Sequence, residues 1–88
     1  MGVREDISWL KENKKRWMTF TLIGTGKASK IRELRQQLNF DDWWPIKQHI
    51  RELIERGLIT EVNDDYTLTE NGKKVLESLR AVGYLKEV

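Results

Sequence analysis

The stretch from Ile46 to Val62 limits the possible folds more than any other part of the chain. Ile46, Ile50, Leu53 and Ile54 recur at i, i+4, i+7 and i+8, which is the spacing of a single apolar stripe on a helix. Gly57 follows where a helix stops on a left-handed residue, and Leu58, Thr60 and Val62 then alternate with Ile59 and Glu61 as in a strand. A helix that turns into a strand within a few residues must share one core with it. A chain of 88 residues has room for one such core, because about 60 to 65% of the unfolded surface is buried at this size.

The remaining elements are read outward from that stretch. Asp6 is a plausible N-cap, with Ile7 and Leu10 on one stripe. The basic run Lys14, Lys15 and Arg16 precedes Trp17, Met18, Phe20, Leu22 and Ile23. This gives two helices or one bent helix ending near Gly24, with the Thr-rich segment from Thr19 to Thr25 also compatible with a strand. Ser29 is placed to cap a helix carrying Ile31, Leu34 and Leu38 and running to about Asn39. The Ile46 helix follows Asp41 and Asp42, with either Asp42 as its cap or Pro45 as its first residue, the latter freeing Trp43 and Trp44 from the helix. Asn63 to Asp65 supply a turn, Tyr66 to Leu68 a second strand, and Thr69 caps a last helix with Val75, Leu76, Leu79 and Val82 inward and Tyr84, Leu85 and Val88 beyond Gly83. The expected order is helix, helix, helix, hairpin, helix: a mainly α chain with a small β-hairpin.

With 39% hydrophobic and 34% charged residues, the composition fits a globular domain rather than a disordered one. The absence of cysteine excludes disulfides, thiolate metal centres and thiol nucleophiles. The longest uncharged stretch, Trp17 to Gly26, is far shorter than the roughly 20 residues of a membrane helix, so the expectation is a soluble, cytoplasmic chain. The net charge of +2 hides an asymmetry: residues 1–40 hold nine Lys and Arg against four acids, and residues 41–88 hold seven against ten. A basic first half suggests a one-sided field suited to a polyanion.

Three helices followed by a short hairpin, with Ile50-Arg51-Glu52-Leu53-Ile54-Glu55-Arg56-Gly57-Leu58-Ile59 leading into the first strand, resemble the winged helix-turn-helix. Tyr66-Thr67-Leu68-Thr69-Glu70-Asn71-Gly72-Lys73 resembles the second wing strand and helix start of MarR-like and PadR-like regulators, above all small archaeal ones. The resemblance implies a three-helix core with a short wing and a C-terminal helix. It divides residues 1–88 into an N-terminal helical extension (1–13), a winged-helix core (14–68) and the last helix (69–88). It further implies double-stranded DNA as partner, with the helix around residues 43–56 in the major groove, and a homodimer formed through the first and last helices. Two features depart from the family pattern: a wing carrying Asp64 and Asp65 where basic residues are common, and Asp41-Asp42-Trp43-Trp44-Pro45 at the start of the recognition helix.

On that helix a rotation of about 100° per residue puts Trp44, Gln48, Arg51 and Glu55 opposite the apolar stripe, with Lys47 on the flank and Trp43 toward the core. Gln48 can pair with adenine, Arg51 with guanine, and Lys47 can neutralise a phosphate. Lys30, Arg32 and Arg35 on the preceding helix are candidate backbone contacts, joined by Lys14, Lys15 and Arg16 if these share the face. The bland alternative is a set of solvated charges paired with Glu52 and Glu55, each pair worth a few tenths of a kcal/mol, about 0.3. A different alternative is a protein-binding adaptor of the transcription or replication machinery that uses an exposed Trp43 and Trp44.

Enzymatic motifs fail. Gly24-Thr25-Gly26-Lys27 lacks a glycine at Thr21 and a hydroxyl residue at Ala28, as a phosphate loop would need. His49 is the single histidine, and the paired acids Asp41-Asp42 and Asp64-Asp65 fall where caps and turns account for them. No enzyme activity, metal or cofactor is expected. The reading is a sequence-specific DNA-binding transcriptional regulator.

Overall fold

The computed structural model describes residues 2–38 and 44–83. They form α1 (Val3–Lys11), α2 (Lys14–Gly24), α3 (Ile31–Leu38), α4 (Trp44–Glu55), β1 (Ile59–Val62), β2 (Asp65–Leu68) and α5 (Glu70–Ala81). Four helices rather than three precede the hairpin, because the first segment forms two helices, one of its two alternatives; the fold class is as expected, a mainly helical winged-helix fold with a two-stranded antiparallel hairpin. Phe20, Leu34, Leu38, Ile46, Leu53, Leu58 and Leu79 are fully buried and join four helices and the base of the hairpin in one core. The cap expected at Asp42, the apolar Trp43, and Tyr84, Leu85 and Val88 lie outside the described residues.

Several local expectations are corrected. The first helix starts earlier than Asp6: Gly2 is its N-cap, and the Glu5 carboxylate accepts from the Gly2 N–H at 3.0 Å. Asp6 is instead buried in the first turn, where it meets Arg56. The Thr-rich stretch is helical, because Thr19 donates to the Lys15 carbonyl (2.8 Å) and Thr21 to that of Met18 (3.1 Å), satisfying both hydroxyls within α2. Gly24-Thr25-Gly26-Lys27 closes this helix, with the Lys27 and Ala28 N–H groups returning to the Leu22 carbonyl. Val82, expected inward, is exposed because α5 ends at Ala81 and Val82 is its C-cap.

Two glycines tie α4 to the wing and to α5. Gly57 has φ +80°, and the N–H groups of Gly57 and Leu58 return to the carbonyls of Ile54 and Leu53, the paired bonds of a left-handed helix stop. The turn delivers Leu58 and Ile59 to the core. Gly72 lies inside α5 for another reason: a Cβ there would come within 2.0 Å of the Leu58 carbonyl oxygen. Thr69 completes the junction by donating to the Gly57 carbonyl (2.5 Å) while accepting from the Gly72 N–H (3.1 Å). The Thr69-Glu70-Asn71-Gly72 motif is therefore the joint at which the last helix docks against the base of the wing.

Candidate functional site

Helix α4 projects beyond the core with four distinct sides. Ile46, Ile50 and Leu53 are buried. Trp44, Lys47, Gln48, Arg51, Ile54 and Glu55 are exposed at the i, i+3, i+4, i+7 spacing of a helix face, as expected for all of them except Ile54. Ile54, assigned inward by its spacing, is 41% exposed. At about 100° per residue it sits roughly 70° from the middle of the apolar stripe, closer in angle to Lys47 than to Leu53.

On the flank that carries Lys47, Arg51 and Ile54, a hollow of about 520 Å³ opens between α4, the start of α3 and the wing. Ile31, Ile50 and Tyr66 give it an apolar floor, and Glu55 and Glu61 an acidic edge. Residues of the wing and of α3 were not among the sequence candidates for this hollow. The cross-strand pairing of Glu61 with Tyr66, readable only once the register is known, puts both on the α4 side.

The opposite flank of α4, with Arg56 just past its end, meets α1 and the start of α2. Asp6 accepts from Arg56 Nε at 2.8 Å, and the Trp9 ring lies between two guanidinium groups, Arg16 at 4.0 Å and Arg56 at 4.7 Å from its centroid. Arg16 also donates to the Trp9 carbonyl (2.7 Å) and reaches Glu52 (3.4 Å), which in turn stands 3.4 Å from His49 Nδ1. Arg16 is thereby corrected from a candidate phosphate contact to a structural bridge, and Lys15 donates to the last carbonyl of α3, that of Leu38 (3.1 Å). Lys14 stays exposed.

Of the two wing acids, Asp64 stands exposed at the tip as expected and Asp65 does not. Asn63 and Asp64 alone form the turn, with φ +53° and +69°, and Asp65 is the first residue of β2. Asp65 binds Lys30 Nζ at 2.8 Å and accepts from the Ser29 hydroxyl at 3.2 Å, while Tyr66 N–H donates to the Ser29 carbonyl. The Ser29 hydroxyl is thus turned to the wing rather than capping α3; the Glu33 carboxylate takes the Ser29 N–H at 2.9 Å instead. Hydrogen bonding to Lys30 lowers the Asp65 pKa, and the same contact raises that of Lys30. The Ser29 N–H lowers the Glu33 pKa, and burial raises that of Tyr66.

Of the predicted site residues, Lys47 and Arg51 are brought together on the hollow, with Gln48 and Trp44 exposed along the same helix and Trp44 56% accessible. Arg32 and Arg35 are exposed on α3, and Lys30 is engaged by the wing. Among the described residues no group of three or more His, Asp or Glu side chains is placed to hold a metal, and no helix is long and apolar enough to cross a membrane.

A family model described as winged helix-turn-helix matches residues 22–87, from the last turn of α2 onward. Comparison with curated proteins and with solved structures returned no match. The matched region contains α3, α4, the wing and α5, and membership of this family supports DNA binding in general. On the match and on the observed fold, the chain belongs to the winged helix-turn-helix family.

Proposed function

We propose that the chain is a sequence-specific double-stranded DNA-binding regulator of transcription, related to the MarR-like and PadR-like proteins, that lays α4 in the major groove. The observation that carries this reading is the exposed row Lys47, Gln48 and Arg51 on a helix whose other side is locked into the core by Ile46, Ile50 and Leu53. Arg51 has no ion-pair partner among the described residues, so its forked donors suit guanine O6 and N7, while Gln48 suits adenine. Arg32 and Arg35 contribute phosphate contacts, Lys30 contributes in competition with Asp65, and Trp44 meets sugar or a thymine methyl.

In this reading the protein acts without catalysis or cofactor, as a cytoplasmic, nucleoid-associated homodimer that obstructs polymerase at its operator. The dimer is favoured by a cleft of about 760 Å³ between α1 and α5, lined by Val3, Ile7 and the exposed Val82. Trp9 and Leu10 of the first helix are taken up within one chain. The functional unit spans residues 14–83 at least, with 1–13 as a brace and the last helix as the second half of the dimer face.

The test is a titration of duplex DNA at several salt concentrations. Log K is expected to fall steeply with log salt, Lys47→Ala to lower the slope by about 1, and Arg51→Ala to cost about 1 to 3 kcal/mol and relax one base position. A second reading, an adaptor that binds a protein through Trp44 and its neighbour Trp43, draws on the 56% exposure of Trp44 and the acidic wing. It predicts no DNA binding at low salt and loss of a partner on Trp44→Ala.

A further inference from the structure

Ile54 lies one helical turn beyond Arg51, and both side chains line the hollow between α4 and the wing. The two are about 4.5 Å apart along the axis, between one and two base-pair steps of a duplex. An accessible branched aliphatic beside a guanidinium needs a partner that is apolar and yet lies next to hydrogen-bonding edges. On the major-groove edges of base pairs one feature fits that description, the methyl group at C5 of a pyrimidine; the others are donors or acceptors.

The surroundings select for a base edge over the sugar-phosphate backbone. Lys47 and Arg51 of α4 attract the duplex, whereas Glu55 at the end of the same helix and Glu61 on the wing would repel a phosphate oxygen that came down to the Ile54 end of the hollow. Ile31, Ile50 and Tyr66 extend the apolar surface below Ile54, so a methyl group placed there loses water on more than one side.

We propose that Ile54 is a specificity-determining residue that reads the C5-methyl group of a pyrimidine one or two base pairs from the guanine contacted by Arg51. The proposal rests on the DNA-binding reading above. The same methyl chemistry is offered by thymine and by 5-methylcytosine.

The experiment selects binding duplexes from a random-sequence pool with the wild type and with Ile54→Ala, then measures affinities for the selected duplex carrying thymine, uracil, cytosine or 5-methylcytosine at the adjacent position. The wild type is expected to enrich a thymine at fixed spacing from a guanine and to bind its uracil version about fourfold more weakly, the effect of one buried methyl group. Ile54→Ala, with an unchanged unfolding midpoint, is expected to keep the guanine and bind both versions equally. Ile54→Val, which shortens the side chain but keeps its branching, should retain most of the discrimination. If 5-methylcytosine restores what cytosine lacks, the methyl group alone is read; if it does not, thymine is the source.

Equal discrimination by wild type and Ile54→Ala, or none by either, overturns the role of Ile54 while leaving DNA binding intact. Failure of the wild type to enrich any duplex overturns the DNA reading and this inference with it.

Discussion

The two flanks of α4 carry the same kinds of side chain in opposite circumstances. On one, Glu52, together with Arg56 just past the helix end, is committed to Asp6, Arg16 and the Trp9 ring of the N-terminal region. On the other, Arg51 stands beside Ile54 and Glu55 at the edge of an open hollow. An arginine that closes the fold and one available to a partner lie five residues apart, Arg51 on α4 and Arg56 in the turn just after it. What separates them is the neighbour: the start of α2, with Asp6 and Trp9 of α1, meets the first flank and leaves the second to solvent. The family match starts at residue 22, so the covering residues Asp6, Trp9 and Arg16 lie outside it, while the exposed flank lies inside.

Substitutions should split along that line. The reference point for a severe loss is Gly72→Ala, where the new methyl group would overlap the Leu58 carbonyl; it is expected to cost about 3 kcal/mol or more in denaturant unfolding. Trp9→Ala removes a half-buried ring and both of its guanidinium contacts, and about 2 to 3 kcal/mol of stability is expected to go with it. Arg56→Ala leaves Asp6 buried without its partner, for a loss of about 1 to 2 kcal/mol by the same assay. Arg51→Ala, on the exposed flank, should change stability by less than about 0.5 kcal/mol. An Arg51→Ala effect as large as that of Arg56→Ala would erase the distinction between the flanks.

The smallest expected effect concerns the wing. Because Asp65 titrates lower in the folded chain than its ordinary value of 3.8, its contribution is present at neutral pH and disappears as the pH falls through the lowered value. Lys30 titrates higher than its ordinary 10.5, so its share is present below that value and is lost at more alkaline pH. The difference in thermal midpoint between wild type and Asp65→Asn should therefore be measurable at pH 7 and shrink toward zero in strong acid. A difference that persists unchanged in acid would mean that the Lys30 contact is not its source.

Periodicity made the helices and the α4 stripe legible, and Gly57 marked the helix end correctly because its left-handed backbone is a local property. Ile54 was misplaced because a spacing rule treats every apolar residue on the stripe as inward, while the width of the stripe is set by what packs against it. Asp65 and Ser29 were assigned to a turn and a cap on local grounds, and a contact 36 residues apart in sequence redirected both. The clamp around Trp9 was equally invisible: Asp6 and Arg56 are 50 residues apart and become neighbours only when α1 docks. Gly72 stood out as part of the Tyr66–Lys73 motif, and its role, the closeness of another backbone, depends on a contact with Leu58 that no local pattern carries. The exposed residues Lys47, Gln48 and Arg51 were found because a helix face follows from angle alone.

Mapping amide chemical shifts of the isotope-labelled chain during titration with duplex DNA compares the two flanks in a single experiment. The largest changes are expected at Lys47, Gln48, Arg51 and Ile54, with Asp6, Trp9, Arg16 and Arg56 little affected. Shifts confined to the Trp9 flank, or none at low salt, would contradict the assignment of the exposed side of α4 to DNA.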